Sequence, residues 1–224
     1  MDKKITLEVA IASVQDARTA CAAGADRVEL SMALELDGLT PSAGLIAAVR
    51  AVCTVPIVLL IRPRPGDFIY TQTELDVMCR DAEAWPGEMA LGCLTAEGAI
   101  DVTALRRFPT QRVVFHRAFD RVANPTAALE TLIDLGIPRV MLHAAHPERI
   151  ARLRDQARGR IDLLPAGGVR PDKVRALLQI TGCDQVHGSF RRTSTRQDIL
   201  FGAFAEVCPM MVHEMRLILD SFSR

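Results

Sequence analysis

The residues able to do chemistry in this chain cluster at the ends of short apolar runs. Glu8 lies between Leu7 and Val9, and Glu29 between Val28 and Leu30. In a strand, a carboxylate alternating with large aliphatics points to the face opposite theirs. Burying it is costly without a partner, and Arg27, Arg62, Arg64 and the strand-end histidines are the nearest candidates. Such carboxylates can form structural ion pairs, a general acid–base pair or half of a metal site. Arg62 and Arg64 flank Pro63, which sets two guanidinium groups on a stiff backbone. Guanidinium binds carboxylate or phosphate through bidentate, charge-assisted bonds; the same pair can instead neutralise Glu8 and Glu29. Four of the five histidines, His116, His143, His146 and His187, fall on or just beyond apolar runs, as proton carriers or metal ligands would. His143-Ala144-Ala145-His146 lacks a helical setting, so its spacing does not define a metal pair.

The apolar runs are 5–11, 26–31, 56–63, 88–94, 112–119, 139–145, 160–168 and 185–190, and helix-like segments separate them. Ser13 and the capping-box pattern Thr71-Gln72-Thr73-Glu74 mark helix starts, as do Asn124-Pro125 and Arg170-Pro171-Asp172. Gly24, Gly136 and Gly182 follow helix-like stretches, where a left-handed cap favours glycine. Eight strands alternating with helices imply parallel pairing and a (β/α)8 TIM barrel. An open doubly wound sheet is the alternative, weakened because no GxGxxG follows the first run. Gly24–Glu29, Gly136–Met141 and Gly182–His187 echo one another, equating Glu29, Met141 and His187 on even-numbered strands. Thr195–Val207 reads as the eighth helix, ended by Pro209, and Met210–Phe222 as an extra C-terminal amphipathic helix. Its Met211, Met215, Leu217, Ile218 and Phe222 pack on the core or meet another subunit. The whole chain, 1–224, reads as a single domain.

Barrel enzymes work at the C-terminal ends of their strands. Glu8, Glu29, His116, Asp120 and His187 are therefore the catalytic candidates, and Arg62, Arg64, Arg117, Gly167, Gly168 and Ser189 the substrate-binding ones. Loops after strands 7 and 8 often hold phosphate, through backbone amides such as those of Gly167, Gly168 and Ser189; otherwise these glycines only permit a tight turn.

Lys plus Arg equals Asp plus Glu at 27 each, which argues against nucleic acid as a partner. Hydrophobic residues make up 49% and charged residues 24%, as in a folded globular chain. The first apolar run is short and broken by Glu8, so it reads as a strand and not as a signal peptide or membrane span. Six scattered cysteines without a CxxC pair point to reduced thiols and a cytoplasmic location.

Several motifs together resemble the CutC family, named for copper homeostasis. They are Leu7-Glu8-Val9, Ala25-Asp26-Arg27-Val28-Glu29-Leu30, Thr40-Pro41-Ser42, Ile61-Arg62-Pro63-Arg64 and Gly66-Asp67-Phe68, then Phe115-His116-Arg117-Ala118-Phe119-Asp120, Gly167-Gly168-Val169 and His187-Gly188-Ser189. The likeness runs from Leu7 to about Ser189. It implies a (β/α)8 barrel, a cytoplasmic homo-oligomer (dimer or tetramer), and copper as cofactor or cargo, with Cu(I) held by cysteines near the ends of strands 1 and 2. Those positions are Ala10 and Ser31 here, which offer no thiolate to a soft ion. The pattern also changes at Pro65, at His143-Ala144 and at Ala166-Gly167-Gly168. Glu8, Glu29, Arg62, His116, Arg117, Asp120 and His187 match it. Two functions follow as expectations: copper binding, or acid–base chemistry on a small anionic, perhaps phosphorylated, metabolite. In the second, Arg62 and Arg64 hold the anion, Glu8 or Glu29 exchanges a proton, and His116 or His187 acts as partner acid or polarises a carbonyl. A third, a purely structural module, ranks last. These residues define no metal-ligand set.

Overall fold

The computed structural model describes residues 4–198 and 202–222. Eight β/α units begin with β1 (Thr6–Ile11), α1 (Val14–Ala22), β2 (Arg27–Leu30), α2 (Ala43–Arg50), β3 (Ile57–Leu60) and α3 (Gln72–Glu83). They continue with β4 (Met89–Leu91), the single-turn α4 (Val102–Leu105), β5 (Val113–Phe115), α5 (Pro125–Asp134), β6 (Arg139–His143) and α6 (Pro147–Ala157). β7 (Asp162–Ala166), α7 (Pro171–Thr181) and β8 (Gln185–Gly188) follow. The eight strands form one parallel sheet in the order β7-β6-β5-β4-β3-β2-β1-β8. Its two end strands, β7 and β8, lie side by side, so the sheet curls into a nearly closed barrel. Every strand falls within the apolar run expected to form it.

Local chemistry explains the boundaries. Ser13 accepts from Asp16 N–H to cap α1, and Thr71 and Glu74 complete a reciprocal capping box at α3. Asn124 caps α5 with Pro125 in its first turn. Gly182 ends α7 in the left-handed conformation, at φ 62°.

The strands divide the interior in two. Leu7, Val9, Ile11, Val28 and Leu30 pack outward into the large core beneath the helices. The alternate residues of β3 to β5, Val58, Leu60, Ala90 and Val114, form a separate apolar cluster, and Met141, Leu164 and Ala166 form another on β6 and β7. On β1, β2 and β8 the corresponding positions are charged or polar, Ala10 apart. Register sets Glu8 beside Arg27 on one flank and beside His187 on the other.

One expectation is overturned after β8. The span Thr195–Val207 is not a helix: β9 (Arg191–Asp198) and β10 (Gly202–Val207) pair as an antiparallel hairpin, with residues 199–201 outside the described residues. β-branched Thr193 and Thr195 and the mid-segment Gly202 all disfavour helix, and cross-strand pairing decides the outcome. Pro209 accordingly starts a helix rather than ending one, in the first turn of α8 (Pro209–Asp220). This C-terminal amphipathic helix is the one expected over Met210–Phe222. Met215 is fully buried, Met211, Ile218 and Phe222 pack against the core, and Leu217 stays exposed.

The hairpin is anchored by Asp16, which is itself buried. Its carboxylate accepts from Val207 N–H at 2.9 Å, from Ala12 N–H at 3.1 Å and from Arg191 Nη1 at 3.3 Å. On α8, Arg216 donates to the Ile5 carbonyl at 3.1 Å and to Asp26 at 2.7 Å. Asp16→Ala leaves a buried N–H without an acceptor, so we expect it to destabilise the protein by about 1–3 kcal/mol. Urea unfolding measures the loss, and hydrogen exchange should show the Val207 amide among those most deprotected.

Candidate active site

At the C-terminal ends of the strands the barrel opens into a cavity of about 900 Å³. Glu29, Arg62, Phe68, His116, Met141 and His187 are among its lining side chains. The three residues equated by the sequence echo, Glu29, Met141 and His187, thus share one cavity.

Its floor is an ion network. Glu8, with no exposed surface, is bonded to Arg27 Nε and accepts from His187 Nδ1 at 2.7 Å. Arg27 Nη2 also donates to Gln185 Oε1 at 2.9 Å. Burial pushes the Glu8 carboxyl up, but Arg27 and His187 together outweigh it and hold the group at about 2. For His187, burial disfavours the cation, yet the carboxylates of Glu29 and Glu8 prevail and raise its pKa. Glu29 stands apart: burial dominates and carries its pKa up to about 7, with His187 opposing and Glu8 reinforcing the rise. Its Oε2 is buried and has no hydrogen-bond partner among the described residues.

His116 sits across the mouth, directly after β5. Its Nδ1 accepts from Ala118 N–H at 3.1 Å, capping the short turn Arg117–Arg121. That bond places the proton of the neutral ring on Nε2, which is buried without a partner. Burial, reinforced by the nearby Arg62, lowers the pKa of His116 to about 3, so the ring is neutral at physiological pH. Phe68 packs at 4.9 Å from it, ring centre to ring centre. Arg62 is buried as well. It donates from Nη1 to the carbonyls of Leu36 and Gly38, each at 2.9 Å, and from Nη2 to Gly66 at 3.2 Å.

The remaining candidates lie on the rim or outside the cavity. Arg117 is paired with Asp120 at 2.9 Å, and Asp120 also accepts from His143 N–H at 3.0 Å; Arg117 and Asp120 both line the mouth. Gly167, Gly168 and Ser189 line it too, and both glycines hold positive φ, 72° and 75°, which a turn there requires. Arg64 does not line the cavity: Glu74 at 2.5 Å and Asp67 at 2.9 Å engage it. His143 and His146 meet ring to ring at 6.3 Å outside the cavity, and His146 is exposed.

Arg27, not Arg62 or Arg64, is the cation that meets Glu8. Gln185, which holds Arg27, was not foreseen. Gly92 was missed too: a side-chain carbon there would lie 2.7 Å from His116 Nδ1, so only glycine admits this ring. A glycine just past an apolar run is the signal that could have found it.

Glu8, Glu29 and His187 offer ligand atoms within 4.8 Å of one another, the one such grouping among the described residues. Arg27 and the His187 proton already satisfy Glu8, so the trio is built as an ion network. At the positions where the family resemblance implies thiolates, Ala10 lines the wall and Ser31 is buried. Among the described residues the cavity receives sulfur only as the thioethers of Met141 and Met211.

A family model for CutC matches residues 5–192. The chain belongs to the CutC family. A CutC family protein of Caulobacter vibrioides is 39% identical over 201 residues, covering 84% of this chain and 82% of the relative. The human copper homeostasis protein cutC homolog is 38% identical over 204 residues, covering 84% and 74%. A crystal structure of a CutC protein from Streptococcus agalactiae superposes with a TM-score of 0.77 at 30% identity, covering 83% of this chain and 98% of that one. Phosphoribosylanthranilate isomerase of Thermotoga maritima, at 14% identity and a TM-score of 0.60, shares the barrel fold. Among the described residues no helix of this CutC protein is long and apolar enough to cross a membrane.

The two carboxylates load stability onto opposite pH ranges. Glu8, depressed from 4.5 to about 2, contributes stability above pH 4.5 that is lost as pH falls through 2. Glu29, raised to about 7, contributes stability that is complete below pH 4.5 and is lost as pH rises through 7. Glu29→Gln should therefore raise stability above pH 7 by on the order of 1–3 kcal/mol and change little near pH 4.5. Thermal melts of both proteins across this range test it; parallel curves would refute the raised carboxyl.

Proposed function

We propose that this CutC protein is an enzyme that moves a proton on a small anionic metabolite by general acid–base catalysis. The observation that carries the reading is the Glu29 carboxyl, buried at the cavity wall with a free oxygen and a pKa of about 7. A base poised near the working pH combines the right protonation state with useful driving force. His187, tied to Glu8 and through it to Arg27, sets the field around Glu29 and favours its ionised form when substrate enters. His116 supplies the complementary group: a neutral imidazole whose Nε2–H can polarise a carbonyl oxygen without giving up its proton. β3 and β4 separate β2 from β5 around the ring, so Glu29 and His116 approach a bound ligand from different sides. Proton abstraction next to a carbonyl, with the developing oxyanion held by His116, is the reaction class this arrangement supports.

The test is deuterium wash-in. Small anionic carbonyl compounds are incubated with the protein in D2O and followed by proton NMR. We expect enzyme-dependent exchange of a C–H beside the carbonyl, lowered about 100-fold or more in folded Glu29→Gln. Absence of exchange across a panel that includes compounds shown to bind would overturn the reading.

Copper handling, the role carried in the human relative's name, finds oxygen, nitrogen and thioether donors at this mouth but no thiolate for Cu(I). In competition with a chelator of known affinity, we expect no stoichiometric Cu(I) binding that depends on His116 or His187. Stoichiometric binding abolished by His187→Gln would make copper the ligand of this site.

A further inference from the structure

Buried polar groups in folded proteins are almost always paired, and those that are not call for a partner the chain does not supply. Three such orphans belong to residues lining the single mouth cavity: Glu29 Oε2, Arg62 Nε and His116 Nε2. Two of them, on Arg62 and His116, are donors, and their residues are linked by charge, since Arg62 helps keep His116 neutral. Phe68 bridges them, 4.9 Å from the His116 ring centre and 5.4 Å below the Arg62 guanidinium.

Arg62 carries the further peculiarity that its charge is unmatched. Only 4% exposed, it gives its Nη hydrogens to neutral carbonyls, and no carboxylate lies within ion-pair distance among the described residues. Asp67, the acidic group nearest in sequence, is engaged by Arg64 instead. A buried cation without a counterion is expensive to maintain. Glu8 and Arg27 cancel; with Glu29 ionised, the form that can take a proton from substrate, it cancels His187, and the buried groups around the cavity then retain one positive charge, that of Arg62.

We infer that this mouth takes a monocarboxylate held by Arg62 and His116, with small side-chain movements turning Arg62 Nε–H and His116 Nε2–H, both closed to solvent here, onto its two oxygens. Two directed donors match two oxygens on one planar group, and one negative charge balances the excess. A phosphate monoester dianion would overfill that balance and present a third oxygen for which these two donors hold no further hydrogen. The inference rests on the acid–base reading for its chemistry: with the carboxylate seated there, an adjacent carbon carrying a carbonyl or hydroxyl reaches toward Glu29. It narrows the substrate class to small 2-oxo or 2-hydroxy acids; in the 2-hydroxy acids the carboxylate oxygen that accepts from His116 is itself the one on which charge develops when C2–H loses its proton.

The experiment is calorimetric and thermal-shift titration of the intact protein with pyruvate, lactate and glycerate, against methyl pyruvate, glycerol 3-phosphate and inorganic phosphate. We expect at least one monocarboxylate to bind while methyl pyruvate and the phosphates do not, with binding weakened at least 10-fold in Arg62→Gln. Because Arg62 also ties down three loop carbonyls, that variant needs a circular-dichroism check. Should it fail to fold, NMR of wild type carrying 15N-arginine replaces it, and the Arg62 Nε–H resonance must move on saturation with the monocarboxylate. Phosphate esters binding where carboxylates do not, or carboxylate binding indifferent to Arg62 in either measurement, overturns the inference. Deuterium wash-in separates the two readings. Exchange on a phosphate ester keeps the acid–base function and rejects the carboxylate, whereas an Arg62-dependent carboxylate without exchange does the reverse.

Discussion

The arrangement of this barrel turns on one buried ion network, in which Glu8 is bonded to Arg27 on β2 and to His187 on β8. A carboxylate with no exposed surface is tolerable only when paired. Pairing it from both neighbouring strands makes the interior of β1, β2 and β8 polar while β3 to β7 remain largely apolar. That asymmetry gives the cavity a charged wall and an oily one. It also leaves Glu29, two residues along from Arg27, as the carboxylate that receives no strong bond and keeps its proton up to about pH 7.

The other wall is shaped by exclusions rather than attractions. His116 lies against Gly92, where a single added carbon would collide with the ring. Its Nδ1 is spent on capping the turn that begins at Arg117, and burial near Arg62 denies it a second proton. The residue is thus fixed in one tautomer by backbone and one charge state by surroundings, which is the preorganisation an oxyanion-stabilising donor requires.

Much of this was legible in the residues. The eight apolar runs became eight strands, because buried parallel strands leave a nearly continuous hydrophobic imprint and their helices carry explicit caps such as Ser13 and Thr71. Glu29, Arg62, His116 and His187 could be gathered in advance because each stands at a strand end. What could not be read was partner choice. Arg62, Arg64 and Arg27 look alike in sequence, yet Arg64 goes to the capping Glu74 while Arg27 reaches Glu8 through strand register. The pairing of β9 with β10 was hidden for the same reason: it depends on cross-strand partners and on Asp16, far away in the chain.

Those distant ties govern when the molecule can become whole. Asp16 holds Val207, Arg216 holds Ile5, and Glu8 holds His187, so the first strand and helix, besides the pairing of β1 with β2, are closed by partners 179 to 211 residues further along. During synthesis from the N-terminus, β1 must wait, its carboxylate hydrated and its Arg27 partner alone at hand, until β8 has emerged. Such long sequence separation makes barrel closure a late and slow event. The charged wall is therefore assembled last, and a chain truncated before β8 would be left with an unfinished floor rather than a weakened one.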